Sequence, residues 1–319
     1  MKKLFGIFIL VFLLNGCDDG DVLVENINFD NIPAVKCSDK GIIYKIKDTE
    51  VIQIMLSPTV YDANFVNEPG VKTLQITSSD MVRYRFYNGT VTSASVCGDL
   101  QPATPTINSE WIANSGTIVI TTSIVYTEPD STTGAYRVAR YNHYIELKNV
   151  TWDKPEGMQV QDFVFGDYST LPNALNFDFN TNANLLQHCP SNTTLYNVTN
   201  SGNAALQVTG LDPALLSTDS ANLDIPKTGT IGSTTNKVTY KLFTTPLAEN
   251  AYVDYFCTGL DTTAVTEEWI AVSGTIEVIS TSAGVGQFSH TVRLKNATFK
   301  RGENSFYFGA DILYGSFIM

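Results

Sequence analysis

The stretch "EWIANSGTIVI" runs from Glu110 to Ile120, and the chain repeats it with light edits as "EWIAVSGTIEVI" from Glu268 to Ile279, 158 residues further on. The match extends outward in both directions. "INFDNIPAVKC" (Ile27–Cys37) has a counterpart in "LNFDFNTNANLLQHC" (Leu175–Cys189), and "MVRYRFY" from Met81 has one in "KVTYKLF" from Lys237. "YNHYIELKNVTW" from Tyr141 pairs with "FSHTVRLKNATF" from Phe288, and "FVFGDY" from Phe163 with "FYFGAD" from Phe306. The order is the same in both halves, and the offsets vary as loop insertions would make them. The chain is therefore a tandem duplication of one domain, with "YSTLPNAL" around Leu171 as the joint. Two units of this length do not make a solenoid, which needs shorter units and more of them.

Each unit reads as β. "IIYKI", "VIQIMLS", "MVRYRFY", "GTIVITTSIVY", "YIELKNVTW" and "FVF" are short runs rich in branched and aromatic residues, separated by Asn, Gly, Pro and Ser clusters. No window of a dozen residues holds a helical period; "NAALQVTGLDPALL" comes nearest to a turn or two of helix. Six to eight antiparallel strands per unit point to two tandem β-sandwich domains, with a small closed barrel as the other architecture. The expected boundaries are 22–168 for the first repeat and 172–319 for the second.

Cysteine placement agrees with the repeat. Cys37 and Cys97 in the first unit occupy the same positions as Cys189 and Cys257 in the second. One disulfide within each domain is the simplest connectivity and suits an oxidising compartment. Metal ligation is not expected, because no C-x-x-C occurs and the chain has only three histidines.

The N-terminus places the fifth cysteine. "MKK" supplies positive charge, and the eleven apolar residues Leu4–Leu14 are too few to span a bilayer but suit a secretory signal. "LNGC" (Leu14–Cys17) then resembles the lipobox of bacterial lipoproteins, which implies a signal peptide over 1–16, a lipid on Cys17 and a short tether over 17–21. The acidic run Asp18, Asp19, Asp21 resembles the surface-export signal of Bacteroidota lipoproteins. The tripeptides beginning at Asp130, Asp219 and Asp261 resemble O-glycosylation sites of that phylum, which implies sugars on Ser131, Ser220 and Thr262. The resemblance implies attachment to the outer membrane, facing the cell exterior. Net charge is −12 overall and −12 − 2 = −14 once Lys2 and Lys3 are removed. Such a field repels phosphate backbones, so no nucleic-acid partner is expected.

Few residues invite a chemical reading. His143 and His290 occupy the same repeat position, but two-residue steps from them reach Ile145, Leu147, Val292 and Leu294, the aliphatic face of each strand. They read as core histidines. Trp111 and Trp269 are also equivalent and read either as core plugs or as platforms on which a sugar ring would stack. Glu267 and Glu268 point to opposite faces of a strand and make a poor acid/base pair. "DFNTN" from Asp178 weakly resembles a calcium loop, but Ala183 stands where such a loop needs Gly. No nucleophile elbow, zinc helix, phosphate loop or dinucleotide fingerprint occurs. The expectation is a non-enzymatic surface lipoprotein without cofactor or metal. It would work by contact as an accessory or scaffold subunit beside an outer-membrane protein. A glycan-binding or adhesive module is the alternative, and a hydrolase with an unfamiliar site is the third reading.

Overall fold

The structure, a computed structural model, describes residues 27–77, 81–155, 157–179, 186–191 and 193–319. The signal peptide, Cys17, Asp18, Asp19, Asp21, the strand start expected near Val22, and Ala183 lie outside the described residues. The first half contains β1 (Val35–Lys36), β2 (Gly41–Lys47), β3 (Glu50–Leu56), β4 (Gly70–Gln75) and β5 (Val82–Tyr87). Three long strands follow, β6 (Ile107–Tyr126), β7 (Val138–Lys154) and β8 (Gly157–Thr170). The second half contains β9 (Gln187–His188), β10 (Thr194–Val198), β11 (Ala204–Thr209), β12 (Lys227–Thr230) and β13 (Lys237–Phe243). Its long strands are β14 (Val265–Gly284), β15 (Gln287–Arg301) and β16 (Asn304–Ile318).

Each half is one eight-stranded antiparallel sheet with the same strand order. The first runs β1-β2-β3-β5-β6-β7-β8 with β4 added on β6, and the second repeats this from β9 to β16 with β12 added on β14. The fold is all-β and duplicated, as the repeats imply. Each sheet curls into a half-barrel, so that its two ends face each other as the layers of a sandwich.

The repeated phrase forms the corner of that curl. Ile107–Ile112 of β6 pair with β5, whereas Thr117–Thr122 pair with β4. Between them the register of β6 against β7 slips at Ala113/Ser115 and again at Ser115/Thr117. Gly116 sits in the slip with φ 134°, where an added Cβ would lie 3.0 Å from Cα of Val150. Gly274 repeats this with φ 119° and a Cβ 2.8 Å from Cα of Ala297. On the facing strands Asn149 and Asn296, the asparagines of both "LKN" triplets, take left-handed φ values of 52° and 53°. Such bulges bend a strand and raise its twist, which lets one strand serve two layers.

The layers enclose an apolar core. Ile52, Ile54 and Val82 on one side and Ile118, Ile145 and Leu147 on the other are all fully buried, each such aliphatic contributing about 2 kcal/mol. The disulfides are Cys37–Cys97 and Cys189–Cys257, with Cα separations of 5.5 and 5.4 Å. On the chain-entropy account each stabilises its domain by about 4 kcal/mol. They pin the short helix Ser93–Cys97 over Tyr44 and Val51, and the turn Asp254–Thr258 over Tyr196, covering the outer face of the first layer.

Three local readings change. "NAALQVT" is the central strand β11, and only Pro213–Leu216 forms a 3-10 turn. β11 is buried on both faces between β10 and β13, so its apolar run carries no alternation. The helix Pro58–Asn64, capped by Ser57, is too short for a dozen-residue window to reveal. The partner of "FVFGDY" is "ILYGSF" (Ile312–Phe317), not "FYFGAD": Leu147 faces Phe163 and His143 faces Tyr168, while Leu294 faces Ile312 and His290 faces Phe317. The sheet of the first repeat runs to Thr170.

Gly116→Ala and Gly274→Ala should each cost about 2–4 kcal/mol, through strained φ and backbone contact together. Gly157 shares the φ of Gly274 but would meet nothing within 4 Å, so Gly157→Ala should cost less. Urea denaturation of the three variants checks the ranking.

Candidate functional site

Trp111 and Trp269 are each only 2% exposed. Trp111 packs edge-on against Tyr84 at 5.2 Å, and the Lys154 ammonium lies 4.9 Å over its ring. Trp269 donates its Nε1–H to Glu267 Oε2 at 2.8 Å, and the Arg301 guanidinium stands 5.2 Å from its ring. In both copies a cation from the neighbouring long strand takes the face that a sugar would need. The sugar-platform reading of these two residues is therefore overturned: both are core plugs.

His143 and His290 are fully buried. His143 Nδ1 lies 2.9 Å from Thr122 Oγ1 and its Nε2 lies 2.9 Å from Thr170 Oγ1. His290 Nδ1 lies 2.9 Å from Ser280 Oγ, and its Nε2 meets no protein partner among the described residues. Loss of hydration pushes both down to about 4, so both are neutral at pH 7. Each sits against an aromatic ring of the third long strand, Tyr168 or Phe317, within an apolar layer. Neither is open to a substrate.

The polar and aromatic groups that converge do so between the two halves. The β6–β7 connection of the first half is longer than its counterpart: the repeat offset is 158 at Glu110/Glu268 and 147 at Tyr141/Phe288, so 158 − 147 = 11 residues are extra. This inserted loop crosses to the other half and pairs with the edge of β16. Tyr136 N–H donates to the carbonyl of Tyr307 at 3.1 Å, and Ala310 N–H donates to that of Thr133 at 2.8 Å. Tyr136 also packs on the Tyr307 ring, 5.8 Å between centroids.

Arg137 follows. Its guanidinium donates to the carbonyls of Tyr136 at 3.0 Å and Tyr307 at 2.5 Å, and lies 4.3 Å from the Phe177 ring and 5.0 Å from that of Phe306. Burial pulls its pKa down to about 10, still charged at any ordinary pH. Beside it, buried Glu267 accepts from Arg301 at 3.1 Å and from Asn173 of the joint at 2.9 Å. Glu268 is exposed on the opposite face of the strand, so the two glutamates do not converge. Further along, Asn304 Nδ2 donates to the carbonyl of Asn67 at 2.8 Å, and Glu303 N–H to Glu68 Oε1 at 3.2 Å. The inserted loop and the β15–β16 turn thus clamp the halves at two places. Sequence reasoning passed over Arg137 and its loop, although the change of offset marked the insertion.

A cavity of about 550 Å³ lies under the inserted loop. Phe177, Phe179, Phe308 and Ile312 line its apolar side, and Thr127 and Glu128 its polar side. Its size suits a small ligand. Ser131, Ser220 and Thr262 are all exposed, the first of them on this loop. Among the described residues no group of three or more His, Cys, Asp or Glu is placed to hold a metal ion, and no helix is long and apolar enough to cross a membrane. No family model, curated protein or solved structure matches this chain.

The buried histidines set a pH dependence. Each has a folded pKa below its unfolded value of about 6.5, so the unfolded chain binds more protons between pH 6.5 and 4. Stability is full above pH 6.5 and should fall as pH drops through that window, by up to about 3 kcal/mol per histidine. Thermal melts from pH 7.5 to 4.5 should show this decline. His143→Gln should flatten it by nearly one proton, whatever it does to stability at pH 7.5.

Proposed function

We propose that this protein is an exported lipoprotein held in the outer membrane through a lipid on Cys17 and facing the cell exterior. It works without catalysis, by protein contact, as an accessory or scaffold subunit of an outer-membrane complex. The observation that supports this best is the two-point clamp between its halves. Arg137, Tyr136, Glu68 and Asn304, residues that in other settings bind ligands, hold the two domains in register. A body so keyed presents one fixed surface, which a part that positions its neighbour requires. Asp18, Asp19 and Asp21 would direct it outward, and exposed Ser131, Ser220 and Thr262 would carry sugars.

Affinity capture through a tag after Met319, from detergent-solubilised outer membranes, tests the reading. An integral outer-membrane protein should co-purify in near-equal amount, and Cys17→Ala should move the chain to soluble fractions. Purification of the wild type alone would defeat the contact reading. Absence of palmitate from the wild type would defeat the anchor.

The cavity under the inserted loop favours one second reading, a glycan-binding or adhesive module. Calorimetric titration with a panel of oligosaccharides decides it: heat that appears with wild type and vanishes with Phe179→Ala would put glycan binding first.

A further inference from the structure

The duplication provides an internal control for one surface. In the second half the edge of β16 at Tyr307–Ala310 is covered by the inserted loop of the first half, through an isolated bridge and a second backbone bond. Thr298 faces Tyr307 and its repeat equivalent Thr151 faces Val160, so Val160 on β8 is the counterpart of Tyr307. Among the described residues β8 pairs only with β7, which leaves the outward backbone groups at Val160 uncovered. The side chains there are bare as well: Met158 is 74%, Val160 66% and Val164 51% exposed. The stretch Met158–Val164 of this edge, with three exposed aliphatic side chains, is a template for another strand.

We propose that the free edge of β8 is a strand-addition site for an extended segment of a partner protein, one that carries apolar and basic side chains together on its outward face. The inference rests on the contact reading above and names its surface. The molecule shows the mode of binding itself, since Thr133–Arg137 covers the equivalent edge with backbone bonds, an aromatic ring and a cation. The charge of the occupant follows from the carboxylates that flank the apolar side chains. Asp153 and Asp162 are exposed beside Met158 and Val160, and Glu146 faces Val164 with Lys148 at 2.6 Å as its partner. A second copy fits poorly. Two β8 edges laid antiparallel would bring both sets of carboxylates together in a chain already carrying −12. Strand addition obtains affinity from main-chain bonds and selectivity from alternate side chains, and here those are an apolar row with an acidic border.

The test uses the full-length lipidated chain in intact cells, with benzoylphenylalanine at Met158 and, as control, at Val285 in the tight turn of the second half. Irradiation should yield a heavier protein adduct from position 158 only, with the attached peptide carrying apolar and basic residues at every second position. Val160→Pro removes the outward N–H and should lower the yield about tenfold while leaving the melting temperature in place. Val160→Lys leaves the backbone intact and should lower it comparably by repelling basic residues, which covers the case in which the proline variant fails to fold. An adduct of two copies, a link within the chain to residues 17–26, or a lipid adduct would each overturn the proposed occupant. Undiminished yield in both variants would overturn the edge site. So would absence of an adduct while a partner still co-purifies through the Met319 tag; in both cases the contact reading would stand. A chain that purifies alone and gives no adduct would defeat both.

Discussion

The bend in β6 and β14 is the constraint on which the rest depends. A flat sheet of these strands would leave one apolar face in water, and the described residues of each repeat supply no second sheet. Glycine at 116 and 274 lets the facing backbone approach to within contact, and the left-handed asparagines at 149 and 296 absorb the extra residue on the next strand. The long strand then pairs with β5 before the corner and with β4 after it, and the sheet covers itself. Trp111, Trp269, His143 and His290 lie within the layers that this bend brings together, which is why none of them is open to solvent.

Duplication left two like domains, and one insertion joined them. Eleven extra residues between β6 and β7 carry a short extended segment onto the edge of β16, where its backbone adds to the second sheet. Arg137 strengthens the junction because its guanidinium meets both carbonyls and aromatic faces, so that its charge is satisfied as it leaves water. The same insertion accounts for the asymmetry of the molecule. One sheet edge is closed by the chain's own loop, and among the described residues the equivalent edge on β8 has no such cover.

Several features were legible in the residues. The β class, the duplication, both disulfides and the burial of His143 and His290 follow from spacing and alternation, since a period of two and matched cysteine positions are local facts. The register of the last strand was not legible. "FYFG" resembles "FVFG" in letters, but the second copy carries extra residues ahead of the corner, and only pairing with β15 shows that "ILYG" holds the equivalent place. The tryptophans remained ambiguous for a related reason. A sequence shows that Trp111 and Trp269 are equivalent but not that Lys154 and Arg301, 43 and 32 residues away, come to lie over their rings.

By itself, then, the sequence determined that two copies of an all-β unit follow one another, each with its own disulfide. Those properties depend on patterns repeated within a few residues of one another or at matched positions in the two copies. The corner, the meeting of Arg137 with Phe177 and Phe306, and the contrast between a covered and an open sheet edge were decided only by tertiary structure. Each arises where strands distant in the chain come within hydrogen-bond or van der Waals reach, and that distance is set by how the curled sheet closes over its core.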